Sequence, residues 1–501
     1  MTPDGIAEAF AQFAAKEKLS FFSLTPFDTT RYGELLKGVE ISEVALSALE
    51  RTWRLDAEFY AKGHLKVEAL LRARKAVSLH EFALISDGNH MGVSDEFCMQ
   101  GVPYFRGGDI KEFFLSFGTP EYCVPKDVYM KPTMLRSHMK KGDVFVSIVG
   151  AIIGQIGMKT DDAPALCSCK LGILRPKNIK TGAYLAAFLL SSIGQSQIWR
   201  FRRGSAQTGL ILDDFEQLLA PKFSGRFYDK VINIVQAALR ARGGAVDKIQ
   251  SAEQSLLSEL GFDGWTPTEE SVSVKNCSDF MSAGRFDAEY FQPKYDELFA
   301  LLAKCKVRVL GGKDGLVDIK RSIEPGSDAY SDKGIPFVRI ADFTEMGVAS
   351  PEIHIPPELC ADSPRPKKDT ILLSKDGSVG IAYKVEEDLD VVTSSGILHL
   401  TVKDNAVLPD YLTLVLNSKI VRLQAERSAG GSIIQHWKQS EIENVSIPIL
   451  PMSSQQKIAA KVRESFALRA ESKRLLDLAK HAVETAIEQG EEKAMEILEV
   501  L

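Results

Sequence analysis

The sequence predicts an α+β chain in which two β-rich domains and two long helices follow one repeated plan. Small and apolar residues step by three and four through 227–262, as the buried face of a long helix does. The same seam returns further along, with Val231 becoming Ile458, 227 positions on. The seven residues RLDAEFY at 54–60 also return, as RFDAEYF at 285–291. Because both the helix seam and this motif occur twice, the sequence predicts an internal repeat with pseudo-two-fold symmetry.

The two helix seams share one register. The first consists of Val231, Val235, Ala238, Ala245, Ile249, Ala252, Leu256 and Leu260, and the second of Ile458, Val462, Ser465, Ser472, Leu476, Ala479, Val483 and Ile487. The one seam slot held by a charge is Arg242 in the first copy and Arg469 in the second. An ordinary amphipathic bundle helix explains either seam alone, but the shared register favours helices that pair as a coiled coil. About 35 residues at roughly 1.5 Å each predict a rod of about 50 Å. Our candidate subunit-interface residues are Val231, Val235, Ile249, Leu256, Ile458, Val462, Leu476 and Val483.

Five regions follow from the repeat. They are an N-terminal extension without an echo (1–38), a first β-rich domain (39–224), a first long helix (225–262), a second β-rich domain (263–452) and a second long helix (453–501). The β-rich stretches match in three places. GVPYFRGGDI at 101–110 matches GIPFVRIADF at 334–343, KKGDVFVSIVGAIIG at 140–154 matches KKDTILLSKDGSVG at 367–380, and LGILRP at 171–176 matches SGILHL at 395–400. The acidic stretch 484–499 is interpreted as a solvated helix end.

Composition limits the classes of protein that remain. The 501 residues are 45% hydrophobic and 26% charged, which is typical of soluble globular proteins with room for several domains. The sequence has no apolar run of about 18 residues and no basic and apolar leader, so we expect a cytoplasmic protein. A net charge of -6 argues against a generally basic nucleic-acid binder but allows local patches.

One local patch is basic. No Asp or Glu occurs between Ala163 and Leu212, yet this segment has seven cations, namely Lys170, Arg175, Lys177, Lys180, Arg200, Arg202 and Arg203. The segment is expected to form a positive surface, and WRFRRGSAQTG at 199–209 adds hydroxyl and amide groups. Arginine and glutamine can grip base edges, while small polar groups position phosphates. The candidate DNA contacts here are Arg200, Arg202, Arg203, Ser205 and Gln207, with a solvated surface loop as the alternative.

The corresponding stretch of the second copy is RSAGGSIIQHWK at 427–438. Its neighbourhood is mixed in sign, so the charge argument is weaker there. The candidate DNA contacts are Arg427, Ser432, Gln435, His436 and Lys438. If both loops contact DNA, their different side chains would read different sequences.

Three further cations are open to two interpretations. Arg106 and Arg339 precede Asp109 and Asp342 at the same spacing, which suits either a local ion pair or a DNA contact. Lys375 lies in an SKDG turn, where it could reach a phosphate, although a plain turn lysine is the simpler interpretation.

The sequence matches none of the catalytic motifs that we considered. The glycines of 150–157 lack the lysine of a P-loop and the spacing of a dinucleotide fingerprint, so they indicate a bent strand. The sequence has no D/N-P-P-Y/F/W motif of an amino-methyltransferase and no acidic cluster for two-metal chemistry. Cys167 and Cys169 form a lone C-x-C pair and are interpreted as reduced thiols rather than metal ligands. We therefore expect no catalytic residues, no metal and a non-catalytic chain.

Residues 39–490 resemble the specificity (S) subunits of type I restriction-modification systems. The resemblance is carried by RLDAEFY, RFDAEYF, the matched strands at 101–110 and 334–343, the turn DTILLSKDGSVG at 369–380, and IENVSIPILPMSSQQKIAAKV at 442–462. The first copy departs from the last of these passages with APKFSGRFYDKVI at 220–232.

The resemblance implies two β-rich target-recognition domains separated by a pair of long antiparallel helices. Each domain would read half of a split site in double-stranded DNA, and two methyltransferase subunits would dock on the helices, with restriction and translocase subunits further out. S-adenosylmethionine and ATP are expected on those partners and no cofactor on this chain, which would serve host defence by directing them. The alternative is a two-module protein–protein scaffold without DNA specificity, followed by an enzyme.

Overall fold

The computed structural model describes residues 29–45, 54–204, 208–349, 351–430 and 435–499. The chain forms two compact units, one of residues 1–233 with 478–501 and one of residues 234–477. Each unit contains a β-rich domain and segments of both long helices, which confirms the predicted α+β class. In the part of the chain described, no helix combines the length and the apolar character needed to cross a membrane.

The first unit is built from short strands and mostly short helices. Its helices are α1 (Thr29–Leu35), α2 (Lys62–Ala73), α3 (Lys126–Tyr129), α4 (Ile179–Leu190), α5 (Ser192–Phe201), α6 (Leu212–Gln217) and the start of α7 (Gly225–Glu259). Its strands are β1 (Val77–Ser78), β2 (Ala83–Asp87), β3 (Val102–Phe105), β4 (Tyr122–Val124), β5 (Val144–Ser147), β6 (Ile156–Met158), β7 (Leu166–Cys167), β8 (Leu171–Pro176) and β9 (Leu219–Ala220).

The second unit repeats this order. Its helices are α8 (Cys277–Ala283), α9 (Pro293–Leu302), α10 (Pro409–Asn417), α11 (Lys419–Ser428), α12 (Gln439–Glu443) and most of α13 (Met452–Glu488), after which α14 (Glu491–Leu498) belongs to the first unit. Its strands are β10 (Val307–Val309), β11 (Val317–Arg321), β12 (Ile335–Val338), β13 (Phe343–Thr344), β14 (Gly347–Val348), β15 (His354–Ile355), β16 (Ile371–Ser374), β17 (Ala382–Lys384), β18 (Val392–Thr393), β19 (Ile397–Val402) and β20 (Ser446–Pro448).

The sheets of the two domains correspond strand for strand. The four-stranded sheet has the order β2-β8-β5-β6 in the first and β11-β19-β16-β17 in the second, and the three-stranded sheets are β4-β3-β7 and β15-β12-β18. The inner strands β5 and β16 are buried at every position, so both of their faces are covered. The hairpin β13-β14 occurs only in the second domain among the described residues.

The strand register corrects one of the sequence matches. Ser147 pairs with Leu171 in the first domain, and its equivalent Ser374 pairs with Ile397 in the second. LGILRP at 171–176 therefore corresponds to residues 397–402, two positions later than the match to SGILHL. A shift of two preserves which side chains face the core, so the apolar pattern alone did not detect it.

A buried glutamine in each domain hydrogen-bonds to the backbone at the start of the last strand. Gln197 donates to the carbonyl of Leu219 at 2.9 Å and accepts from its amide at 2.8 Å. Gln424 makes the same pair of hydrogen bonds with Ser446, at 3.0 and 2.8 Å. These glutamines satisfy the backbone where β9 and β20 begin, a role that the sequence analysis missed.

The two long helices run antiparallel within the second unit. Ser465 Oγ donates to the carbonyl of Ala245 at 2.6 Å, and Ser472 Oγ donates to that of Ala238 at 2.7 Å. As the residue number rises in α13 it falls in α7, which fixes the antiparallel direction. A side chain can reach the facing backbone only because small residues let the helices approach closely.

Burial corrects our assignment of a subunit interface. Six of the eight candidates are at most 2% exposed within this chain, namely Val231, Val235, Leu256, Ile458, Val462 and Val483. Ile249 is partly buried against the second domain's core, and Leu476 is half-buried beside the buried Leu475. A side chain with no accessible surface cannot contact another subunit. The six buried residues are therefore internal packing residues.

The C-terminal stretch differs from the single solvated helix that we expected. α13 ends at Glu488, Gly490 has a φ of 108°, which favours glycine, and α14 then buries Leu498 at 2% exposure. Glu491 accepts from the amide of Ser224 at 2.9 Å. Glu499 pairs with Arg226 at 3.1 Å. Carboxylates here bind the start of α7, within the same unit.

The close helix approach should tolerate no large side chain at Ser465. We expect Ser465→Leu to destabilise the chain by about 1–3 kcal/mol, because added volume must force the packed helices apart. Chemical denaturation of purified protein measures the change. The exposed Ala467, two residues away on the same helix, supplies the control Ala467→Leu. Equal stability of the two variants would contradict the close packing.

A buried histidine makes the second domain sensitive to acid. Burial, with a smaller effect from Lys320, lowers the pKa of His399 to about 4, and its Nε2 lies 2.8 Å from Thr393 Oγ1. The unfolded chain therefore binds a proton between pH 6.5 and 4 that the folded chain does not, so stability falls as the pH drops, by at most about 3 kcal/mol. We expect His399→Ile, which installs the residue at the equivalent position 173, to flatten this dependence in denaturation at pH 7.5 and 5. An unchanged slope would exclude His399 as its source.

Candidate nucleic-acid interface

The polar loop of the first domain is closed at its base by paired backbone hydrogen bonds. The amide of Arg203 donates to the carbonyl of Gly209 at 2.9 Å, and Gly209 returns a bond at 2.8 Å. Two further bonds dock the loop on the turn after β5, from Gly150 to Thr208 and from Leu210 to Ile148, both at 2.9 Å. The predicted contacts Ser205 and Gln207 lie outside the described residues.

The second domain docks its loop with equivalent bonds. Gly430 and His436 exchange backbone bonds of 3.1 and 2.7 Å, Gly377 donates to Gln435 at 2.9 Å, and Trp437 donates to Lys375 at 2.8 Å. Each of these residues is 227 positions beyond its counterpart, so the bases of the two loops are docked at equivalent places. Of the predicted contacts, Ser432 lies outside the residues that the structure describes.

The repeated RLDAEFY motif holds the helix that leads into the first loop. Arg54 pairs with Asp56 at 2.5 Å and donates to the carbonyl of Phe201, the last residue of α5, at 3.2 Å. The guanidinium of Arg54 lies 4.9 Å from the Phe59 ring, and that of Arg200 lies 4.2 Å from it. The hydrogen bond from Arg54 holds the pKa of the Asp56 carboxyl below its usual value. We call this arrangement the arginine clamp.

The second domain repeats the clamp. Arg285 pairs with Asp287 at 2.6 Å and donates to the carbonyl of Ser428, at the end of α11, at 3.0 Å. Arg285 and Arg427 lie 4.6 and 4.0 Å from the ring of Tyr290. The strongest local repeat in the sequence is thus a device that fixes the base of each loop.

Arg200 and Arg427 belong to the clamp, although we had assigned both to DNA. Arg200 is 10% exposed at its side chain, donates to the carbonyl of Phe59 at 2.9 Å and pairs with Glu68 at 2.5 Å. Arg427 is half-buried and donates to the carbonyl of Tyr290 at 3.3 Å. Because these guanidinium groups are directed inward, their placement argues against contact with DNA.

More than half of the cations in the acid-free segment, which we expected to form a positive surface, are paired with carboxylates. Four of its seven cations pair with carboxylates from outside the segment: Arg175 with Asp143, Lys180 with Asp229, Arg200 with Glu68 and Arg203 with Asp214. Burial raises the pKa of Asp214, and the backbone amide of Ile211 and the cation of Arg203 act against that rise. Folding brings acids from distant positions to these cations.

Several predicted contacts remain at the surface beside the loops. Arg202 is exposed and stacks 4.5 Å from the Trp199 ring, while Arg203 is 41% exposed despite its ion pair. In the second domain Gln435 is exposed, and the side chains of His436 and Lys438 are 62% and 79% exposed. His436 Nδ1 lies 2.8 Å from Asp376. Their contact with DNA stays a prediction.

Arg106, Arg339 and Lys375 each have a carboxylate partner. Arg339 Nε donates to Asp342 at 3.1 Å, the local ion pair that was one of our two alternatives. Arg106 pairs with Glu121 and lies 4.5 Å from the Tyr122 ring, with Asp109 at 3.6 Å. Lys375 pairs with Asp376 and has only 18% of its side chain exposed, as in the plain turn lysine.

The second domain matches a known family. Residues 314–474 match the type I restriction modification DNA specificity domain. The span from β11 into α13 is therefore similar to that domain, and the resemblance to type I specificity subunits is confirmed. No curated protein matches the chain.

Solved structures similar to this chain include three of type I systems. The S subunit from M. genitalium is 13% identical, with a TM-score of 0.34 over 84% of this chain and 95% of that one. The HsdS subunit from Thermoanaerobacter tengcongensis is 16% identical, with a TM-score of 0.27 over 83% and 96%. A chain from work on assembly and conformational transition of the type I R-M system is 15% identical, with a TM-score of 0.28 over 83% and 97%.

Replacing Arg200 should reduce the stability of the fold, whereas replacing the nearby Arg202 should not. Arg200→Met keeps an apolar stem but removes the bonds to Phe59 and Glu68, so we expect a loss of about 2–3 kcal/mol. Arg202→Met should leave stability unchanged, because that guanidinium is exposed. Denaturation of both variants measures the difference. Comparable stability of the two would contradict the clamp.

Proposed function

We propose that this chain is the sequence-specific DNA-binding subunit of a type I restriction-modification system and that each β-rich domain reads one half of a split site. The proposal is carried by one observation: the bases of the two loops are docked by equivalent backbone bonds, while the loop sequences differ. A common backbone arrangement with different loop residues suits two domains that bind different DNA sequences. The family match over 314–474 supports the DNA specificity role.

The exposed groups beside the loops have chemistry that suits base recognition. A guanidinium such as that of Arg202 can bind guanine edges through two hydrogen bonds, and the amide of Gln435 can do the same with adenine. Lys438 suits a phosphate, which fixes register without reading sequence. Cations directed inward, including Arg200 and Arg427, contribute instead by holding the loops in place.

The chemistry on DNA would be done by other subunits. In this proposal two methyltransferase subunits carrying S-adenosylmethionine bind the two repeats, and ATP-dependent restriction subunits join them. The chain itself is non-catalytic and supplies the target sequence. A split site follows because two domains, each with its own loop, read separately.

Methylome sequencing of cells that carry the methyltransferase, with and without this chain, tests the proposal. We expect a split methylated motif only when the chain is present, and exchange of residues 77–220 for those of a related chain should change one half of the motif. The unchanged half, read by the second domain, is the internal control. Methylation that persists without the chain would reject the proposal and favour the protein scaffold.

A further inference from the structure

Each arginine clamp presents an exposed apolar side chain. Leu55 is 83% exposed and Phe286 is 74% exposed, and each is the second residue of its repeated motif. The backbone is extended at the following residue, with φ and ψ of -75° and 135° at Asp56 and -76° and 131° at Asp287. Successive side chains of an extended chain point to opposite sides. Because the Arg and Asp on either side form the inward ion pair, the residue between them is directed outward.

The clamp explains why this position is exposed but not why it is apolar. Phe286 stacks one face of its ring on Phe280, with 5.8 Å between the ring centroids. A side chain that leaves most of its surface in water is nevertheless under little packing constraint, and polar residues dominate such positions. Both copies nevertheless carry a large apolar group. An external partner is the simplest physical reason for keeping apolar surface in water.

This pairing is specific among the exposed apolar side chains of the described residues. Of those at least 70% exposed, Leu55 and Phe286 are the one pair at equivalent positions of the two repeats. Leu84, at 74%, corresponds to Asp318 by strand register. Met99, at 89%, precedes Gly101 as Asp332 precedes the equivalent Gly334.

The surroundings of the pair favour a protein over DNA. Ala57 and Glu58 are exposed beside Leu55, and Ala288 and Glu289 are exposed beside Phe286. The cations within the two motifs are already engaged, since Arg54 and Arg285 pair with Asp56 and Asp287. An apolar surface with an exposed carboxylate repels phosphate, whereas it suits an apolar pocket rimmed by basic side chains.

We infer that these two surfaces are equivalent docking sites for one protein partner that binds in two copies. We call them the docking knobs: Leu55, Ala57 and Glu58 in the first repeat, and Phe286, Ala288 and Glu289 in the second. A surface common to both repeats serves a ligand common to both, whereas the loops, which differ, serve ligands that differ. The inference rests on the proposed function, in which that partner is the methyltransferase subunit.

The position of the knobs suits this partner. Arg54, which holds the first knob, also donates to the carbonyls of Phe201 and Arg202 at 3.2 and 3.1 Å, at the start of the loop. A subunit docked on the knob would therefore lie beside the sequence that the loop reads.

The test uses the full chain produced with its methyltransferase subunit. Leu55→Ser and Phe286→Ser should each weaken one of the two methyltransferase binding events at least tenfold, and the double variant both, in titrations followed by native mass spectrometry. DNA binding by the chain alone should not change. Leu84→Ser and Met99→Ser, exposed apolar positions without a repeat partner, are matched controls and should keep both events. Glu58→Lys and Glu289→Lys, at exposed positions, should also weaken binding and provide a second set if the serine variants fail to fold.

The outcomes separate the inference from the proposed function. If the wild-type chain binds no methyltransferase, both fail. If it binds two and the double variant binds two with the same affinity, only the docking knobs are rejected. A double variant that keeps the methyltransferase but loses DNA binding would assign the knobs to DNA and overturn the inference.

Discussion

The burial of the two helix seams is the constraint on which the rest of the structure depends. Neither β-rich domain forms its unit with one repeat alone. In the second unit, Leu256 of α7, Leu260 just after its end, and Ile458 and Val462 of α13 lie in one core cluster. In the first unit, Arg74 donates to the carbonyl of Ile487, near the end of α13, at 2.6 Å, and the unit also contains the start of α7. Each domain therefore packs against a helix segment from the other repeat, so each unit is built from residues of both repeats.

The clamps show how a duplicated protein can keep one part of its structure fixed while another changes. The ion pair, the stacked ring and the hydrogen bond to the end of α5 or α11 recur in both domains. The Arg200 guanidinium lies 4.2 Å from the Phe59 ring, and that of Arg427 lies 4.0 Å from the Tyr290 ring. The loops that these clamps support share backbone bonds but few side chains. Backbone hydrogen bonds carry no side-chain identity, so a loop docked by them can change its surface groups without losing its position.

Charge patterns along the sequence were the least reliable guide. The acid-free segment contains seven cations, yet four of them bind carboxylates that lie elsewhere in the chain. Asp143, Glu68, Asp214 and Asp229 all fall outside the segment. A local count of charge cannot predict which ions meet after folding, because ion pairs form in space. Exposure then identified Arg202 and Lys438 as cations still presented to solvent.

The sequence by itself determined the features that periodicity and repetition encode. These are the α+β class, the two long helices, their seam, and the equivalence of the two domains, because a helix face and a duplicated motif are written in consecutive residues. Only the tertiary structure decided which arginines are directed into the protein and that Gln197 and Gln424 hydrogen-bond to the backbone of the last strands. It also decided that β8 corresponds to residues two positions later than SGILHL, and that the acidic C-terminal stretch binds the start of α7. Each of these depends on contacts between residues far apart in sequence, whose partners no local pattern specifies.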